Sequence, residues 1–152
     1  MADIHIADFY KDCASIFVTL YRNFPRKIQL YVDDIAGADE PDEFGLPSPR
    51  HSSCFATMVW LAESGYIQYQ TNIRQEALDL AQLTHLGFML LSSPRTIPIS
   101  AALSSPTDLD LDGPQSSANH IHNLRQQLRT GSSNAIERAV TEVFAQSYRY
   151  RG

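Results

Sequence analysis

The chain predicts an α+β fold that is mostly helical. Three observations carry this. Apolar residues recur at helical spacing across the first 24 positions, a capped helix from Ser48 runs into a β-prone ribbon, and two short amphipathic helices follow a stretch rich in Pro and Ser. A chain of 152 residues with 43% hydrophobic content holds enough apolar material for one core, or for a compact domain with an appendage.

The first helix is capped by Asp3. Its Ile6, Tyr10, Cys13, Ala14, Phe17, Leu20, Tyr21 and Phe24 form one buried stripe, with Asp8, Lys11, Asp12, Ser15, Thr19 and Arg22 opposite. Pro25 ends it, because proline lacks the amide hydrogen that the ladder needs. Residues 27–30 alternate as a short strand, and residues 31–36 allow one or two helical turns before Gly37. Residues 38–47 read as a loop from Pro41, Gly45, Pro47 and the acids Asp39, Glu40, Asp42 and Glu43.

Ser48 followed by Pro49 pairs an N-cap with a first-turn proline, a specific start signal. The helix runs to Gly65 with His51, Cys54, Phe55, Met58, Leu61 and Ala62 inward. Ser52, Ser53, Ala56, Trp60 and Glu63 point outward. Residues 66–70 are β-prone, a turn is expected near Thr71-Asn72-Ile73, and a returning strand falls between 74 and 83, although 75–81 also fits a helix. Thr84 caps a short helix through Leu91, in which Gly87 is tolerable.

From Ser93 the composition shifts to Ser, Pro, Thr and Asp, so a domain over residues 1–92 is separated by a linker over 93–117 from a helical element over 118–152. In that element Ile121, Leu124 and Leu128 align on one helix, and Ile136, Val140, Val143 and Phe144 on the next. Gly131, Ser132 and Ser133 turn between them. Two helices of this size cannot bury both stripes on each other, so a second copy of the chain is the simplest cover. The expectation is a homodimer held by these seven residues.

Composition excludes several classes. No apolar run approaches the roughly 20 residues that span a bilayer, and the N-terminus lacks the basic start and apolar block of a signal peptide. Cys13 and Cys54 both fall in helices, which fits reduced thiols and a cytoplasmic protein. His51 and Cys54 share a helix face, but no second pair of matching spacing exists to complete a zinc site. His120 and His122 point in different directions. There is no phosphate loop, no nucleophile elbow and no carboxylate pair with the marks of acid–base work, so neither an enzyme nor a cofactor is expected.

The helix over 48–65, the ribbon over 66–83 and the step from Leu83-Thr84 to Gly87 together resemble the second half of a winged helix-turn-helix domain, with the likeness covering about residues 3–92. In that superfamily the start of the second motif helix and the tip of the wing touch the ligand. The resemblance therefore implies contacts from Pro49, Arg50, Ser52, Ser53 and Ala56 on the helix and from Gln70, Asn72 and Arg74 on the wing. Trp60, on the outer face, is either a partner contact or covered by the wing strands or first helix.

The expected function is a dimeric DNA-associated regulator, with a protein-interaction module as the alternative. A dimeric DNA-associated regulator would use the helix and wing on double-stranded DNA, with the C-terminal pair setting the spacing of half-sites. A protein-interaction module would use the same face to hold another protein, as an accessory subunit of a DNA-handling or defence assembly. Charge favours the second. Residues 1–92 carry six basic residues against twelve acids, a net of −6, whereas the remainder carries six against five.

Overall fold

The computed structural model describes residues 4–38, 43–95 and 119–151, so most of the expected linker lies outside the described residues. The fold is α+β and mostly helical, with a small antiparallel sheet. The elements run α1 (Ile4–Asn23), β1 (Ile28–Tyr31), α2 (Val32–Ala36), α3 (Pro49–Glu63), β2 (Ile67–Gln68), β3 (Thr71–Ile73), β4 (Ala77–Leu83) and α4 (His85–Ser92). They end with α5 (His120–Thr130) and α6 (Ser133–Arg151). Among the described residues no helix is long and apolar enough to cross a membrane.

Strand β4 is the centre of the sheet, with β1 on one side and β2 and β3 in succession on the other. Its Ala77, Leu78, Ala81 and Leu83 are buried. The pairing with β1 slips between Ile28–Ala81 and Leu30–Leu78, where β4 carries one extra residue. Leu80 sits there in the left-handed region (φ +54°), the signature of a bulge.

The β3–β4 turn lies three residues later than the sequence predicts, at Arg74–Gln75–Glu76. Asn72 does not tip the hairpin. Its Oδ1 accepts the Gln75 amide (2.7 Å) while Ile73 O accepts that of Glu76 (2.8 Å). Arg74 and Gln75 both take positive φ (52° and 59°), a conformation that ordinarily selects Gly or Asn, so residue type misdirects the reading of the turn. Residues 77–83 are strand throughout, which removes the helical alternative.

Helix α4 is set by the step at Thr84. The Thr84 hydroxyl donates to Gly65 O (2.6 Å) and accepts from the Gly87 amide (3.0 Å), joining the end of β4, the turn after α3 and the first turn of α4. Gly87 is more than tolerated, since a Cβ there would lie 2.2 Å from the Tyr66 carbonyl oxygen.

The division into a domain over 1–92 and a separate pair over 118–152 does not hold. One core runs from Cys13 to Val143, and α1 is its axis, touched by α3, α4, α5 and α6. Ile121, Leu124, Ile136, Val140 and Val143 are buried within their own chain, and Leu128 and Phe144 are partly buried against the same core. The helical pair thus finds cover for these stripes on α1 of its own chain. The physical reason lies in α1, which is buried on more than one side, including Ile16, Val18 and Asp12 outside the predicted stripe. The connection is pinned at both ends by a bridge between Pro94 and Asn119 and by the His120 amide donating to Ser93 O (3.2 Å).

Candidate binding surface

Helix α3 forms where its cap dictates, with Ser48 Oγ accepting the His51 amide (3.2 Å) and Pro49 in the first turn. Its inner face buries His51, Cys54, Thr57, Met58 and Leu61. Ser52, Ser53, Ala56, Trp60 and Glu63 are exposed, as helical spacing predicts.

Arg50, expected as a helix contact, is tied into the fold. Its guanidinium donates two parallel bonds to the carboxylate of Asp12 on α1 (2.7 and 2.6 Å), and Asp8 adds a third charge at 3.7 Å. Asp12 is 1% exposed, so this fork is the partner that makes its burial tolerable. The bond to Asp12 raises the Arg50 pKa still further above its ordinary value. Helical spacing alone puts Asp12 on the solvent side. The available signal was its position one helical turn after Asp8, next to an apolar run from Cys13 to Leu20.

Beneath this ion pair lie both cysteines, free and buried. Burial pushes the Cys13 thiol well above its usual pKa and that of Cys54 up to about 12, with the Asp12 carboxylate adding to both. Both stay protonated at neutral pH and are packing groups rather than nucleophiles. The His51 ring turns to α2, with Nε2 2.9 Å from Asp33 Oδ1. Among the described residues no group of three or more His, Cys, Asp or Glu is placed to hold a metal ion.

The remaining candidates lie around this helix. Trp60 is 43% exposed, with its other side packed edge-on against Phe9 of α1 (5.3 Å) and Phe144 of α6 (5.6 Å). The last helix, not the wing strands, is thus its second wall. Gln70 and Asn72 are exposed along the outer run of the hairpin, and Arg74 is exposed at its tip. Arg74 lines a cleft of about 400 Å³ that it shares with Asp33, His51 and Glu76. The surface formed by α3 and the hairpin is therefore polar, small-featured and acidic, with one half-open indole. No protein-family model, curated protein or solved structure matches the chain.

Proposed function

We propose that the protein is a non-enzymatic binding module of winged-helix type, acting in the cytoplasm, whose α3 and hairpin hold another protein. The element order α1–β1–α2–α3–hairpin supports the type, as does a sheet in which the strand after α1 pairs with the last strand of the hairpin. The observation that carries the choice of partner is Arg50. The one cation of α3 is held by Asp12, and its outer face presents Ser52, Ser53, Ala56 and Trp60. Duplex binding draws its affinity from Lys and Arg placed on phosphates, and such a face supplies none. An exposed indole set among small residues is the kind of anchor that protein interfaces use.

A second reading, the DNA-associated regulator, draws on Arg74 at the hairpin tip, where a wing reaches a groove. A photo-crosslinking residue at position 56 separates the two in cells. Protein adducts that vanish on Trp60→Ala, and that are missing when the probe sits at Arg138, support the module. Adducts to DNA alone would transfer the function to the second reading.

A further inference from the structure

The end of α1, together with α4 and α5, carries a charge pattern opposite to that of α3. We propose that this wall binds the phosphate backbone of a nucleic acid, a contact separate from the α3 and hairpin reading. Residues 13–32, 80–95 and 119–136, which build these elements, contain no Asp or Glu, yet hold Arg22, Arg26, Lys27, Arg95, Arg125 and Arg129. Arg95 is held by Glu142 through two bonds (2.9 and 3.1 Å). Among the described residues the other five have no carboxylate within ion-pair distance, and all but the half-buried Arg125 are exposed.

A stack of flat groups joins the three elements. The guanidinium carbon of Arg125 on α5 lies 5.5 Å from the centre of the Tyr21 ring on α1. Tyr21 stacks on Phe88 of α4 (5.9 Å, 15°), and Phe88 stacks on Phe24 (4.4 Å, 11°). Arg125 stands at one end of the stack, and Arg26 and Lys27 follow Phe24 at the other. Arg22 adjoins Tyr21, and Arg129 lies one helical turn beyond Arg125.

This arrangement selects among anions. Four of the five cations are arginines, whose planar forks match phosphate oxygens in pairs. The rings occupy one another's faces, so they hold Arg125 in place and offer little apolar anchor of the sort a protein partner would need. Inserted bases likewise find little open ring face, which leaves sequence-independent contact with the backbone. The carboxylates behind the chain's overall charge of −5 fall outside these three stretches of sequence.

The test is a salt series of fluorescence anisotropy, with the full chain titrated onto a labelled DNA duplex and a labelled single strand. Weak binding at low salt is expected, fading as log affinity falls linearly with log salt. The variants Arg125→Ala/Arg129→Ala and Arg22→Ala/Arg26→Ala/Lys27→Ala should each lower the slope, by roughly 0.9 for every phosphate left without its cation on the duplex, or 0.7 on the single strand. Arg138→Ala, exposed on α6 and outside these elements, should leave it unchanged. Arg125→Lys/Arg129→Lys keeps the charge and should keep the slope even if an alanine variant melts early. The proposal is overturned by absence of binding at low salt, by slopes indifferent to these charges, or by a polyglutamate peptide binding more tightly than either nucleic acid.

Discussion

Helix α3 and helix α5 present opposite surfaces. The single cation of α3 points inward to a buried carboxylate, and the cleft beside its start is walled by Asp33 and Glu76. Helix α5 has no acid, and its arginines, Arg125 laid on the Tyr21 ring and Arg129 exposed, meet no carboxylate among the described residues. Dividing the sequence at position 92 gives an acidic front and a near-neutral back, but the division in space is different. The second half of α1 and all of α4 belong to the acidic front by number and to the cationic wall by position. Net charge per segment is thus a poor guide to surface potential whenever one central helix shows different sides to different neighbours.

The most severe way to break this contrast is to delete the wall. A chain ending near Ser93 loses α5 and α6 and uncovers α1, so it should lack a cooperative melt by circular dichroism. A sharp transition in that fragment would restore the idea of an independent first domain. Next in size is Arg50→Ala, which leaves Asp12 buried without its partner and should cost about 3 kcal/mol in urea unfolding. A loss below about 0.5 kcal/mol, the ordinary surface value, would return Arg50 to the binding face. Gly87→Ala should cost about 2 kcal/mol, because the new methyl meets the Tyr66 carbonyl. An unchanged midpoint would mean that the seam between α4 and β2 gives way.

A smaller effect concerns pH. His120 is 1% exposed, its Nε2 donates to Gln146 Oε1 (2.6 Å), and its buried Nδ1 has no partner among the described residues. Burial holds its pKa below the ordinary 6.5, against the raising pull of Gln146 and Glu142, with Arg95 lowering it further. The unfolded chain therefore takes up this proton at higher pH than the folded one. The stabilising preference for the neutral ring is complete above pH 6.5 and declines as pH falls through that value toward the depressed one. His120→Gln should flatten this part of the stability profile, and an identical slope in both proteins would contradict the assignment. Smallest of all, Arg125→Ala should lower stability by only about 0.5–1 kcal/mol as the Tyr21 ring is stripped of its cation, while Arg74→Ala stays within about 0.5 kcal/mol. Urea midpoints of the two variants, compared side by side, check that order.

Local chemistry was legible wherever a residue acts on its immediate neighbours. Ser48-Pro49 and Thr84 announced the starts of α3 and α4, and the outer face of α3 followed from its spacing. What escaped depends on contacts far apart in the chain. Ile16 and Val18 lie off the single stripe, yet six of the eight residues from Cys13 to Leu20 are apolar, and that density was the available sign of a helix covered on several sides. The clamp from Arg50 to Asp12 spans 38 residues, and the stack of Tyr21, Phe88 and Arg125 joins three elements, so neither leaves a mark in any local window. The hairpin turn was misplaced because Arg74 and Gln75 adopt a backbone that their residue types disfavour.

The central position of α1 also sets a clock for synthesis. Residues near the start of this sequence are complete early, while α6, whose Phe144 packs against Phe9 and Phe17, is made more than a hundred residues later. At translation rates of about 5–20 residues per second, the interval between finishing α1 and finishing α6 is roughly 6 to 25 s. Until α6 is made, the side of α1 that it covers lacks that cover. Completion of the apolar core therefore waits for the last helix.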